Sequence, residues 1–208
     1  MWFLLLPGRS LPVCLFFEVM QSVGVLGHSY LYPYLPGGSH QDQPHNNIVL
    51  NYFCSPGATF ASILNTDAFS DLLASSPDLV IVVLGGNDFV YGSNIGSSYN
   101  DLLHLFNIIY NSCSPNFGVY LLEPEKRYGN PHFVDADSYR KLRNGFVRKL
   151  KQKNQVNFLP LIKFGVGLDL LCDDGVHLND YGCSLFDTVL KFHISDILFD
   201  GDLAPAEL

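Results

Sequence analysis

The sequence predicts an α/β sandwich on a five-stranded, mainly parallel sheet. Three observations carry that expectation. Five short apolar runs recur along the chain with little polar alternation, as strands covered on both faces require. Longer segments with apolar residues at helical spacing separate most of them. The order is strand, strand, helix, strand, helix, strand, helix, strand, helix. That alternation winds a parallel sheet through right-handed crossovers.

Taken in order, Ser22 to Leu26 is the first strand, and it ends in Gly27-His28-Ser29. Ile48 to Phe53 is the second, followed by Pro56-Gly57, a turn signal. Ala58 to Ala74 has helical period, with Thr59 as a candidate cap. Leu79 to Leu84 is the third apolar run, and Gly85-Gly86-Asn87-Asp88 after it is strong turn chemistry. Tyr99 to Ser112 sets Leu102, Leu103, Leu105, Phe106 and Ile109 close to one helical face. Gly118 to Leu122 and Val156 to Leu159 complete the strands, around a helix over Asp135 to Lys153. The last helix spans Asp180 to Leu198, entered through Asn179 or Asp180 as its cap.

The 208 residues suit one domain with a sizeable core, and the 48% hydrophobic and 15% charged content is that of a globular chain. We place the domain at residues 21–200, with a C-terminal tail at 201–208. Residues 1–20 are an apolar extension in two runs split by Pro7-Gly8-Arg9-Ser10. They lack the basic start and small-residue cleavage site of a secretory signal, and neither run reaches the length of a membrane span. The extension therefore reads as a partly ordered segment, and the location leans cytoplasmic over secreted.

The net charge of −8 offers no general attraction to nucleic acid or anionic membranes. Seven of the twelve Lys and Arg residues fall between Arg140 and Lys153. They read as the solvated face of a helix whose other side carries Leu142, Phe146, Val147 and Leu150. The five cysteines, Cys14, Cys54, Cys113, Cys172 and Cys183, form no C-x-x-C pair and read mostly as small buried hydrophobes. No P-loop, G-x-G-x-x-G or H-E-x-x-H is present, so no nucleotide, metal or other cofactor is called for.

In a parallel sheet, ligands bind beyond the carboxyl ends of the strands. The segments just past those ends hold the parts of an acyl-transfer site. Ser29 can attack a carbonyl, and His177 can take its proton and return it to the leaving group. Asp174, three residues before His177, can hold the imidazole in the required tautomer. Its neighbour Asp173 reads as solvated. The oxyanion needs two or three convergent donors. The backbone N–H groups of Ser29 and Gly57 and the side-chain amide of Asn87 can supply them. A second D-x-x-H, Asp101 to His104, lies inside an amphipathic helix and reads as a surface pair. The G-x-S-x-G elbow of α/β-hydrolases is absent around Ser29.

The four blocks G-H-S at 27–29, S-P-G-A-T at 55–59, L-G-G-N-D at 84–88 and D-x-x-H at 174–177 resemble, in order, those of the SGNH (GDSL-type) hydrolases. The likeness covers roughly residues 20 to 198. It implies a three-layer α/β/α, flavodoxin-like fold and ester hydrolysis through an acyl-serine. It also implies the roles given above: Ser29, His177 and Asp174 as the triad, and Ser29, Gly57 and Asn87 as the oxyanion hole. "LGGND" and "DGVHLN" further resemble esterase domains of invertebrate genomes, some of them carried by LINE-type retroelements.

One departure stands out. The family usually carries aspartate before the serine, and here the residue is His28, which reads as a partly exposed loop histidine. The expected partner is a small-molecule ester, a lipid or acetylated glycan among the candidates, with Tyr30, Tyr32, Tyr34 and Phe89 either lining the pocket or serving as core or lid packing. The competing class is a binding module that keeps the pocket without turnover.

Overall fold

Burial of both faces of an apolar strand forces parallel neighbours and helical covers, and the computed structural model has that arrangement. It describes residues 20–34, 47–90, 94–124, 136–160, 170–174 and 177–200. The terminal extension and tail predicted at 1–20 and 201–208 lie outside these residues, save Met20.

Five strands form one sheet: β1 (Gln21–Gly27), β2 (Ile48–Cys54), β3 (Leu79–Val83), β4 (Val119–Leu122) and β5 (Asn157–Leu159). Their order is β2-β1-β3-β4-β5, and every pairing is parallel. This is the flavodoxin-like order, with its topological switch between β1 and β3. The helices are α1 (Asp67–Ser75), α2 (Gly86–Val90), α3 (Ile95–Cys113), α4 (Ala136–Lys153) and α5 (Asp180–Ser195). A π-helical turn, Asp196–Asp200, continues α5.

The period-2 geometry of a strand divides its side chains between two cores. Leu26, Val80, Val82, Val119 and Leu121 pack under α1, α3 and α4, through Phe69, Leu72, Leu102, Leu105, Phe106, Phe146 and Leu150. Val23, Val25, Leu79, Ile81 and Val83 face the other way, onto Phe186, Leu190 and Ile194 of α5. The steps from β2 to β3, β3 to β4 and β4 to β5 all run in one direction across the sheet. A single crossover hand therefore puts α1, α3 and α4 on one face.

Two helices begin elsewhere than predicted. The segment 58–74 is split: a 3-10 turn at Ser62–Asn65 precedes α1, and Thr66, not Thr59, caps α1 by accepting from the Phe69 amide at 3.3 Å. The reason is long-range. The Ala58 carbonyl accepts from Asn87, and the Phe60 amide donates to Asp88, so these backbone groups are turned away from a local helical ladder. Helix α3 starts a turn early because Asn94 caps it, accepting from Ser97 N at 2.8 Å. The Gly86-Asn87-Asp88 stretch, predicted as a turn, is the short helix α2.

The cysteine expectation needs correction. Of the four described, Cys183 alone is buried. Cys54 and Cys113 are half-buried, and Cys172 is exposed. Cys54 ends edge strand β2 and Cys172 lies in a surface loop, so neither position is covered on all sides. Burial pushes the Cys54 and Cys183 thiols up to about 11, with Asp180 contributing at Cys183.

Candidate active site

Three strand exits and one loop bring the predicted residues to the carboxyl edge of the sheet. The first exit is that of β1. A Cβ on Gly27 would stand 2.7 Å from the Val83 carbonyl oxygen and 2.8 Å from Leu31 Cδ1, so only glycine lets β1 lie this close to β3 here. The Gly27 and His28 carbonyls then accept from Ser55 N (3.0 Å), Leu31 N (3.0 Å) and the Cys54 thiol (3.1 Å). These bonds tie the start of the 3-10 turn Ser29–Tyr34 to the end of β2. Ser29 is half-buried at that turn's first position. His28 is wholly buried, which corrects the expectation of a partly exposed residue. It prolongs β1, a strand flanked by β2 and β3, and so lies inside the molecule.

The second exit, after β2, is the turn at 55–58, closed by the Ala58 amide donating to the Ser55 carbonyl at 3.1 Å. Gly57 sits in it at φ +76°, with no atom within 4 Å of where a Cβ would be. That conformation favours glycine. The third exit, after β3, leads into α2. Asn87 is buried there, and its Nδ2 donates to the Ala58 carbonyl at 3.0 Å. An amide nitrogen carries two hydrogens, so this bond also fixes the direction of the second.

The fourth segment precedes α5. Leu171 bridges Leu178 in antiparallel fashion, Cys172 N donates to the His177 carbonyl at 2.7 Å, and Asn179 N donates to the Leu170 carbonyl at 3.0 Å. Asn179 caps α5 by accepting from Gly182 N at 2.9 Å. Within this frame the Asp174 carboxylate accepts twice from His177. The backbone N–H reaches Oδ1 at 2.9 Å, and ring Nδ1 lies 2.5 Å from Oδ2. The other ring nitrogen, Nε2, lies 3.0 Å from Ser29 Oγ. A proton on Nδ1, held by the carboxylate, leaves Nε2 as the acceptor for the serine hydroxyl.

Ser29, Asp174 and His177 are thus in one hydrogen-bonded line, though 148 positions separate serine from histidine. Gly57 and Asn87 stand on the neighbouring exits, those of β2 and β3, at the same edge of the sheet. Asp173 is exposed beside Asp174, and His104 of the second D-x-x-H is exposed on α3. The side chains of Tyr30, Tyr32 and Tyr34 lie outside the described residues. Of the two readings of Phe89, core packing holds and the pocket assignment is corrected: it is wholly buried, its ring 5.2 Å from Phe146 and 6.0 Å from Tyr139. A helical turn at 86–90, in place of the expected loop, carries its ring into the core instead of toward a pocket.

Two features escaped the sequence reading. Asp88, 2% exposed, accepts from the Phe60 amide. Arg143, placed on the solvated face of α4, is buried at 5% exposure. It pairs with Glu123 and donates from Nε to the Pro124 carbonyl at 2.8 Å, so it anchors the exit of β4. The signal was available. Tyr139, Arg143, Phe146 and Leu150 fall at helical spacing on one face, with the arginine in the middle of the apolar stripe.

Residues 23–185 match the GDSL-like lipase/acylhydrolase family. Among curated proteins none matches the chain in sequence. Among solved structures the chain is similar in fold to a lipase/acylhydrolase from Enterococcus faecalis. The TM-score is 0.65 and the identity 17%, over 84% of this chain and 95% of that one. It is similar also to the psychrotrophic esterase EstA from Pseudoalteromonas sp., which was solved inhibited by monoethylphosphonate. Here the TM-score is 0.60 and the identity 16%, over 85% and 97%. A third is the acetyl xylan esterase AlAXEase, with TM-score 0.61 and 19% identity over 83% and 99%.

Proposed function

The chain belongs to the GDSL-like lipase/acylhydrolase family and is a serine hydrolase of the SGNH type acting on esters, and from that premise we propose that Ser29 is its nucleophile, served by His177 and Asp174. The observation that carries this reading is the continuous line Asp174 Oδ2, His177 Nδ1, His177 Nε2, Ser29 Oγ, at 2.5 and 3.0 Å.

Ser29 Oγ attacks the ester carbonyl carbon while its proton passes to His177 Nε2. The imidazolium that forms is stabilised by the Asp174 carboxylate. The carbonyl oxygen becomes an oxyanion, and the N–H groups of Ser29 and Gly57 and the Asn87 amide receive it. Collapse expels the alcohol, which takes the proton from His177. Water, deprotonated by the same imidazole, then cleaves the acyl-serine. The acyl group is short to medium, on a lipid or a glycan. The likeness in fold to an acetyl xylan esterase fits the short end of that range.

The test is hydrolysis of p-nitrophenyl esters from acetate to octanoate by the full chain. Turnover is expected, with a loss of about a thousandfold or more in Ser29→Ala. A folded protein that cleaves none of these esters contradicts the proposal and points to a binding module. A Ser29→Ala variant that keeps the parental rate contradicts it as well.

A further inference from the structure

The proposed reaction leaves Asp88 without a task, although its carboxylate is buried beside Asn87 on the first turn of α2. Both of its oxygens face the Phe60 amide, which donates to them at 3.2 and 3.3 Å. The preceding residue, Asn87, donates to the Ala58 carbonyl. Two consecutive side chains of α2 therefore grip two backbone groups of the short segment that follows Gly57.

Gly57 needs that grip. It has no side chain to pack, its φ of +76° is one glycine samples freely, and no atom lies within 4 Å of where its Cβ would be. The direction of its N–H is set by what holds the residues on either side. On the far side those anchors are the Asn87 and Asp88 bonds. A buried donor that loses its acceptor forces the segment to move or to lose stability.

We infer that Asp88 is a positioning residue for the oxyanion: by holding Phe60 N against α2 it makes the Gly57 amide and the Asn87 carboxamide converge on one point. Asn87 thus serves twice, as donor and as clamp, and Asp88 keeps the clamp in register. The inference rests on the reading of Ser29 as nucleophile with Gly57 and Asn87 as oxyanion donors.

The test is kcat and KM on one p-nitrophenyl ester for Asp88→Ala and Asp88→Asn, with thermal unfolding of each variant. A displacement of a donor by the order of 1 Å costs roughly a hundredfold. We expect kcat to fall about 10- to 100-fold in Asp88→Ala, with KM within about twofold of the parent. Asp88→Asn, which keeps one acceptor oxygen, falls between the two. Amide exchange at Phe60 accelerates in the same order. A folded Asp88→Asn with parental kcat overturns the inference, as does a rise in KM at unchanged kcat. If Asp88→Ala does not fold, the Asn variant decides alone. A parent that hydrolyses esters while both variants match it sinks this inference and leaves the nucleophile standing. A parent without turnover sinks the nucleophile reading and this inference with it.

Discussion

The two halves of the site are built differently. Ser29, Gly57 and Asn87 stand on the exits of β1, β2 and β3, around the switch point of the sheet. The segments around them are tied together across long sequence distances: the Gly27 carbonyl accepts from Ser55 N, the His28 carbonyl from the Cys54 thiol and the Ala58 carbonyl from the Asn87 side chain, and the Asp88 carboxylate accepts from Phe60 N. Asp174 and His177 stand on a surface loop, with side chains 44% and 49% exposed; apart from the reach of His177 Nε2 to Ser29, the bonds described for them run to each other and to residues close by in the chain. The half that carries the proposed nucleophile takes its precision from the core. The half that carries the proposed base takes it from a short bridge, a helix cap and a carboxylate that holds one histidine at two points. In the proposed mechanism, a base that receives and returns a proton tolerates an exposed loop, whereas oxyanion donors must be fixed before the charge appears.

The contrast can be broken from either side. The largest expected effect is at the base. In Asp174→Asn the ring loses the carboxylate that selects its tautomer, and kcat falls roughly 10²- to 10⁴-fold. Steady-state kinetics together with an unchanged circular dichroism spectrum check this. On the other side, Gly27→Ala drives a methyl group into the Val83 carbonyl and Leu31, a clash within the core. It is expected to destabilise the fold by about 1–3 kcal/mol, read from denaturant unfolding. The same experiment on Asn179→Ala, which removes the cap of α5, is expected to cost about 1 kcal/mol. Should Asn179→Ala prove costlier than Gly27→Ala, the assignment of rigidity to the nucleophile half is wrong.

The smallest effect concerns pH. His193, near the end of α5, is buried and lies 2.9 Å through Nε2 from the Pro160 carbonyl just past β5. Burial pulls its pKa below the usual 6.5, against a smaller opposing pull from the Pro160 bond and Asp196. The unfolded chain therefore binds the proton more readily than the native one. The stability tied to this group is complete above about pH 6.5 and is lost as pH falls through the lower native value. His193→Gln keeps a donor for Pro160 and is expected to flatten the fall of Tm below pH 6.5. An unchanged slope contradicts the assignment.

The sheet was legible because continuous Val, Ile and Leu runs have few alternatives to a doubly covered strand. The four blocks were legible because each sits directly past such a run or before the last helix. What was hidden depended on distant partners. The helix drawn from Ala58 failed because Asn87 and Asp88, about thirty residues away, claim its first backbone groups. His28 and Phe89 were placed toward solvent or substrate by local chemistry alone, and the sheet and α2 carry both inside. Arg143 was counted by its charge, although its spacing from Phe146 and Leu150 marked it for the interior.

The central claim is that Ser29 is the nucleophile and that His177 activates it. The most direct test is reaction of the full chain with a fluorophosphonate, followed by peptide mapping. The account predicts a single phosphonyl adduct on Ser29 that His177→Ala abolishes. An adduct on a different serine, or labelling of Ser29 that survives His177→Ala at the parental rate, would contradict it.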